Sequence, residues 1–392
     1  MHPINEIRGS AGDELAGKRI VLGITGSIAA VEIVKLAREL ARHGAEVIPV
    51  MSHAATKIIH PDAVHFATGN VPIIELDGAV KHVELCGDSR YRADLLLIAP
   101  ATANTISKMA HGIDDTPVTT MASCAMGSGM PILIVPAMHG SMYNHDIIME
   151  NVDKLKSKGV IFIGPRMEER KAKMATQADI VRQVCRALGP GNLKGHRVLV
   201  IAGSTREPID DVRFITNVSS GKTGIALAEE AYRRGAEVIV WAGEGLDVPD
   251  FATCKRFKSV RDLEKMATKA DIILVPAAIS DFTVKPANGK ISSKNGMTLK
   301  LVPTGKIIGR LMKTSIIVGF KAETGIPMKE LEKRARARME EYDLDLMVAN
   351  LLEDVKSETT TALLLSPGKK PVQFKGRKTE LARAIFDMIT EA

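Results

Sequence analysis

Two segments of this 392-residue chain run from a β-branched apolar stretch through a glycine turn into an amphipathic helix. The first is KRIVLGITGSIAAVEIVKLARELARHG, residues 18–44. The second is RVLVIAGSTREPIDDVRFITNVSSGKTGIALAEEAYRRGAEV, residues 197–238. Their helices run out at Gly44 and Gly235. A strand that turns on glycine into a helix belongs in a parallel sheet, because the helix must carry the chain back before the next strand begins. The same turn brings backbone N–H groups and a helix N-terminus to an anionic ligand. Neither turn spells GxGxxG or GxxxxGK[ST]. The pattern predicts phosphate-bearing ligands without ordinary NAD or Walker-type chemistry.

The alternation extends through both halves. Val21–Thr25, Glu46–Val50, Asp94–Ala99, Ile132–Val135 and Val160–Ile163 read as strands in the first. Ile33, Leu36, Ala37 and Leu40 recur at helical spacing between the first two. Residues 188–195, LGPGNLKG, read as a linker. The alternation restarts with Val198–Ala202, Glu237–Trp241, Asp271–Val275, Ile316–Gly319 and Leu346–Ala349, followed by a strand-like Thr359–Leu365 and a helical Thr379–Ile389. The fold class is therefore α/β: two doubly wound, Rossmann-like domains, residues 1–190 and 191–392. Ligands in such sheets sit beyond the C-terminal strand ends, which directs attention to residues 25–28, 51–54, 99–105, 136–142, 202–207, 276–282 and 319–324.

Composition narrows the classes. Aromatics make up 4% of the chain, so its cores must be aliphatic. The net charge of +7 is mild and spread out, with no aromatic-rich RNA motif, which argues against nucleic acid and suits an acidic small molecule. Cys86, Cys124, Cys185 and Cys254 form no CxxC pair, which excludes zinc-ribbon and dithiol-redox readings. The polar start MHPINEIRGSAGDEL has no apolar signal core, and no run is long enough to span a membrane, so a cytoplasmic location is expected.

In the first half, polar residues gather at strand ends: Gly26-Ser27-Ile28, Ala99-Pro100-Ala101-Thr102-Ala103-Asn104-Thr105 and Pro136-Ala137-Met138-His139. Locally, Ser27 and Thr102 read equally well as helix N-caps or ligand contacts. His82 precedes an apolar–acidic alternation that reads as a loop or short strand. With Gly112-Ile113-Asp114-Asp115, these motifs make residues 18–165 resemble the homo-oligomeric flavin-containing cysteine decarboxylases. The resemblance implies a flavodoxin-like domain in which Gly26, Ser27 and Ile28 hold the FMN phosphate region. It gives Ser52, Thr102, Asn104 and Thr105 further flavin contacts, and it makes His82 the active histidine. The implied reaction oxidises a C-terminal cysteinyl thiol to a thioaldehyde, with FMN as electron acceptor, so that the adjacent carboxylate can leave as CO2. Two positions depart from the family. His139 stands where asparagine usually binds the substrate carboxylate. The segment 165–174 lacks the usual flap cysteine, leaving Lys171 and Lys173 as candidate proton donors beside the alternative of a solvated charged loop.

In the second half, the tract from Ala202-Gly203-Ser204-Thr205-Arg206 through Arg213 and Asn217 to Ser219-Ser220-Gly221-Lys222 sits at one strand–helix junction. Gly203 and Gly221 allow close approach of phosphate. The helix near Lys222 offers a positive end, and Arg206 and Arg213 offer fork-shaped donors. Ala277-Ala278-Ile279-Ser280-Asp281, Lys290, Phe320 and Asn350 follow. Residues 195–392 resemble the phosphopantothenate–cysteine ligases. That resemblance makes Asn217 the stabiliser of an acyl-nucleotide. It assigns Ala277, Ala278, Asp281, Lys290 and Phe320 to CTP, with Lys290 neutralising charge as pyrophosphate leaves. Two lysines usual in the family fall at Arg338 and Tyr342. Arg338 can hold phosphate; Tyr342 cannot. Mg2+ is expected with CTP rather than in a protein-built cage. Together the resemblances imply an enzyme that joins 4'-phosphopantothenate to cysteine and decarboxylates the adduct. They also imply a homo-oligomer, with trimeric decarboxylase and dimeric ligase domains. A chain in which only the ligase half turns over is the other reading these departures leave open.

Overall fold

The computed structural model describes residues 2–169, 171–292, 296–311, 315–355 and 357–390. The chain divides into two compact units, Met1–Gly189 and Pro190–Ala392. The first holds a parallel sheet of β1 (Arg19–Ile24), β2 (Glu46–Met51), β3 (Leu95–Ala101), β4 (Ile132–Pro136) and β5 (Ile161–Phe162). Its spatial order is β2-β1-β3-β4-β5. Alternate residues face opposite sides, and both sides are apolar. Ile20, Leu22 and Ile24 of β1 join Leu95, Leu97 and Ala99 of β3 in one core, while Val21, Leu96 and Ile98 join another. Helices Ile33–Arg42, Pro61–Thr68 and Gln177–Ala187 cover the first side. Helices Lys81–Cys86, Ala103–His111, Pro117–Gly127 and Asp146–Ser157 cover the second. Strands buried on both faces read as continuous aliphatic runs, which is what made them visible in the sequence. The polar N-terminal stretch packs onto this unit through the buried Ile4 and Leu15.

The second unit holds β6 (Arg197–Ala202), β7 (Glu237–Gly243), β8 (Thr253–Phe257), β9 (Ile272–Val275), β10 (Ile316–Glu323), β11 (Leu346–Leu351), β12 (Thr359–Leu365) and β13 (Val372–Arg377). The order is β8-β7-β6-β9-β10-β11-β12-β13. The six strands from β8 to β11 are parallel; β12 and β13 continue the sheet antiparallel. One face packs on helices Lys222–Arg233 and Lys378–Thr390, the latter burying Leu381, Ile385, Phe386 and Ile389. Each such side chain contributes roughly 1.5–3 kcal/mol on burial. The opposite face is shared by a core around Trp241 and Phe257 and another under helix Met328–Tyr342.

Strands β8 and β13 lie at the two sheet edges and were not legible. Thr253–Arg256 are exposed, and β13 is exposed or half-buried throughout. Edge strands carry charge that discourages further pairing, which removes the apolar pattern. In both sheets the strand order reverses at one place, between β1 and β3 and between β6 and β9. Crevices form at such reversals. Among the described residues no helix is long and apolar enough to cross a membrane, and no cluster of three or more His, Cys, Asp or Glu could hold a metal ion.

Candidate functional site

In the first unit, hydrogen bonds stitch together the strand ends at the reversal. Thr25 Oγ1 donates to the Pro100 carbonyl at 2.7 Å and accepts from the Thr102 amide at 3.1 Å. Ser27 Oγ donates to the Ala137 carbonyl at 3.0 Å. The ends of β1, β3 and β4 are thus tied at Gly26-Ser27, Thr102 and Ala137. Ser27 precedes a short 3-10 turn, Ile28–Glu32, and its side chain caps no amide; the α-helix starts only at Ile33. Thr102 and Ser52 are true N-caps, accepting from the Thr105 and Ala55 amides. Gly26 is required by proximity, because a Cβ there would lie 2.5 Å from that of Ala54. Ile28 is 77% exposed, and Asn104 is also exposed.

His82 lies on the helix Lys81–Cys86, not in a loop or strand. The short apolar–acidic alternation misled because helical spacing decides here: Leu85 and Cys86 are buried together, and Lys81 pairs with Glu84 at 2.7 Å across one turn. Its Nδ1 is buried without a hydrogen-bond partner. Among the described residues no hydrogen bond joins it to the Ser27–Thr102–Ala137 group.

The charged segment after β5 is a β-ribbon rather than a solvated loop. Arg166–Glu168 pairs antiparallel with Lys171–Lys173, which pairs in turn with Met138–His139. His139 stands directly opposite Lys171, so the two side chains share a face of the ribbon. His139 Nδ1 accepts from the Ser141 amide at 3.3 Å, which leaves the Nε2 proton of the neutral ring free to donate. Lys173 is engaged by Glu168 at 3.0 Å and Glu169 at 3.5 Å. Its hydrogen bond to Glu168 holds it above the ordinary lysine range. Lys171 makes no ion pair among the described residues.

In the second unit a cleft of about 1090 Å³ is lined by the N-terminus of helix Lys222–Arg233, the loop after β9 and residues of β10 and β11. Asn217, Ser219, Ser220, Gly221, Lys222, Ala277, Ala278, Asp281, Phe320 and Arg338 all line it. Gly221, at φ +69°, caps helix Lys222–Arg233. Asn217 Nδ2 donates to the Ile279 carbonyl at 3.3 Å, linking the turn before that helix to the loop after β9. Five cationic side chains, Lys222, Lys306, Lys321, Arg338 and Lys378, line the cleft against the single carboxylate of Asp281. Lys222, Lys306, Lys321 and Arg338 pair with Glu358, Asp281, Glu323 and Glu341, so a polyanion entering the cleft meets these cations by exchange with protein carboxylates.

Residues 8–189 match the family model described as Flavoprotein, and residues 193–392 match the DNA/pantothenate metabolism flavoprotein C-terminal domain. A relative from Thermococcus kodakarensis, the "Coenzyme A biosynthesis bifunctional protein CoaBC", is 49% identical over 400 residues, covering 99% of each chain. The chain belongs to the bifunctional decarboxylase–ligase family of coenzyme A biosynthesis. A relative of the same name from Methanocaldococcus jannaschii is 42% identical over 360 residues, 89% of this chain and 87% of its own. The solved C-terminal domain of a protein of that name is 30% identical, covering 51% of this chain and 97% of its own with a TM-score of 0.43.

Not every residue singled out in this bifunctional chain reaches the ligase-half cleft. Gly203, at φ +89°, sits at the end of β6 against Gly243 and does not line it. Arg206 and Arg213 belong to a hairpin, Arg206–Pro208 with Phe214–Thr216, and neither lines the cleft. Arg206 pairs with Glu244 at 3.6 Å and lies over the Phe214 ring, while Arg213 pairs with Asp210 at 2.7 Å. Their charges are met by protein carboxylates rather than left as an open fork. Lys290 is exposed on a loop outside the lining. Tyr342 lies beneath Arg338, whose guanidinium sits 4.6 Å from the ring centroid. The tyrosine thus orients the cation that holds the neighbouring position.

The sequence reading missed Lys306 and Lys378. Lys306 pairs with Asp281 in the cleft. Lys378 is 6% exposed and donates to the Ser357 carbonyl at 2.9 Å. Burial pushes its ammonium below the ordinary lysine range, with Lys222 adding to the effect and Glu358 opposing it. A signal was present in Lys378: a lysine starting a helix opposes the helix dipole, so its position calls for another explanation.

Proposed function

We propose that the second unit joins 4'-phosphopantothenate to cysteine through an acyl-cytidylate formed from CTP. The first unit then decarboxylates the product to 4'-phosphopantetheine with FMN. The observation that carries the ligase reading is the cleft with five lining cations and one lining carboxylate at a helix N-terminus. Lys222, at a helix N-terminus, Lys306 and Arg338 neutralise the triphosphate, and Mg2+ enters with it. Asn217 keeps one amide N–H on Ile279 and has the other to donate to the oxygen that gains charge as the cysteine amine attacks. Gly203, Arg206 and Arg213 serve this half from the adjoining strand end and hairpin.

For the first unit, the exposed Ile28 and Asn104 and the unpartnered Nδ1 of His82 fit a planar, polar ring system with a phosphate tail. Gly26, Ser27, Ile28, Ser52, Thr102, Asn104 and Thr105 would hold FMN. When bound, the flavin would take two electrons from the substrate thiol, creating an electron sink beside the carboxylate, and return them to the resulting ene-thiol, so that the decarboxylation is redox-neutral overall. His82 moves the thiol proton. His139 donates from Nε2 to the carboxylate, and Lys171, opposite it on the ribbon, is the ammonium placed to assist or to return a proton. The same reading makes the protein a cytoplasmic homo-oligomer, with trimeric decarboxylase and dimeric ligase domains.

The test is incubation with phosphopantothenate, cysteine, CTP and Mg2+, with products followed by mass. Phosphopantetheine supports both assignments. Accumulation of the cysteine adduct confines activity to the ligase half. No nucleotide-dependent product overturns the reading.

A further inference from the structure

Lys290 sits in a loop held by the two backbone amides that flank it. The Gly289 amide donates to Asp211 Oδ2 at 3.1 Å, and the Ile291 amide donates to Asp210 Oδ2 at 3.1 Å. Two more bonds reinforce the contact. The Ala287 amide donates to the Ile209 carbonyl at 2.9 Å, and Arg213 Nη1 donates to the Ile291 carbonyl at 3.2 Å. Gly289 takes φ +72°, the left-handed conformation that lets the loop present both amides to one turn. The turn is itself rigid. Asp210 Oδ1 accepts from the Val212 and Arg213 amides at 2.9 and 2.7 Å, Arg213 Nη1 lies 2.7 Å from Oδ2, and the Asp210 side chain is fully buried.

Asp210 and Asp211 form the bend of the hairpin Arg206–Pro208 with Phe214–Thr216, and that hairpin runs directly into Asn217 of the cleft. One rigid piece of backbone therefore determines both the position of Asn217 and the position of the Lys290 loop.

We propose that Asp210 and Asp211 are positioning residues, a carboxylate clamp that fixes the Lys290 loop relative to Asn217 for the nucleotide-dependent step. The inference rests on the ligase reading and on the role the family resemblance implies for Lys290, whose exposed loop lies outside the cleft lining. A lysine on a loop with free backbone samples many placements, whereas one fixed on both sides meets its anion in a narrow range of geometry. Arg213 acts in the same clamp, tying the Asp210 carboxylate to the Ile291 carbonyl.

Asp211 is exposed, so it can be changed without opening the core. Asp211→Ala removes the Gly289 acceptor, and Asp211→Asn keeps an acceptor oxygen. Two readouts on the full-length protein separate the possibilities: the rate of trypsin cleavage at the Lys290–Ile291 bond, and CTP-dependent pyrophosphate release. Asp211→Ala should cleave on the order of tenfold faster and lose roughly 10–100-fold in kcat, with KM for CTP changing less than about threefold. Asp211→Asn should restore both. Unchanged cleavage in Asp211→Ala overturns the clamp. Faster cleavage with an unchanged kcat overturns its positioning role. A normal kcat in Lys290→Gln overturns the assignment of Lys290 on which that role rests, while the cleavage rates still decide whether the clamp exists.

Discussion

Gly224→Ala tests how closely the anion-facing helix approaches the second sheet. Gly224 lies in the first turn of helix Lys222–Arg233, and a Cβ built there would be 2.4 Å from the Cβ of Ala202 at the end of β6. Carbon atoms rest at about 3.5–4.0 Å, so helix and strand must separate by roughly 1.1–1.6 Å. Two effects oppose each other. Alanine for glycine inside a helix stabilises by about 1 kcal/mol, while overpacking a tight contact costs about 1–3 kcal/mol. Ala202 has no rotamer with which to yield, so the upper part of the cost applies and the net effect should be destabilisation by about 1–2 kcal/mol. The assay is urea unfolding followed by fluorescence of Trp241, the single tryptophan of the chain, which is buried in β7 of this unit. The separation also displaces Lys222 and Gly221, which line the cleft, so nucleotide-dependent pyrophosphate release should fall on the order of 10–100-fold. Decarboxylation of supplied cysteine adduct by the first unit should not change. A variant that is more stable by about 1 kcal/mol, the bare helix preference, would refute the close approach.

His82→Asn should retain its fold and flavin and stop the pathway at the cysteine adduct; steady phosphopantetheine production from this variant would remove His82 from the mechanism. Lys171→Gln should raise KM for the adduct by about tenfold, the weight of a charge-assisted hydrogen bond, measured as CO2 release. Lys173→Gln should leave it unchanged, because that ammonium is already committed to Glu168 and Glu169. The Val212 amide, with the Arg213 and Ile291 amides and the Arg213 guanidinium, brings the Asp210 carboxyl down to about 2 against the cost of its burial. A carboxyl lowered on folding stabilises above its unfolded value, and that contribution is lost as pH falls from about 4 to about 2. Trp241-monitored stability should therefore decline across that window, and Asp210→Asn should flatten the decline.

The sheet interiors were legible because strands such as Leu95–Ala101 are aliphatic on both faces, leaving periodicity and length to mark them. The edge strand β13 and the ribbon strands Arg166–Glu168 and Lys171–Lys173 were not, because exposed strands exchange apolar pattern for charge. Lys171 and Lys173 look alike in sequence; only strand register, which sets one opposite His139, and the carboxylates that hold the other distinguish them. Of the two glycines singled out in the second half, Gly221 lines the cleft together with Lys222, whereas Gly203 does not. Arg206 and Arg213 were misleading, since cations beside a glycine turn suggest free phosphate donors until Glu244 and Asp210 are seen to pair with them. Lys306 carried no local signal; its place in the cleft comes from the fold of the loop before Ile307–Arg310.

The central claim is that each half carries its own complete chemistry. The most direct measurement mixes two full-length variants, His82→Asn and Asn217→Asp, each unable alone to convert phosphopantothenate, cysteine and CTP to phosphopantetheine. The mixture should make phosphopantetheine, because adduct released by the ligase half of the first protein reaches the decarboxylase half of the second. A mixture as inactive as its components would contradict the account.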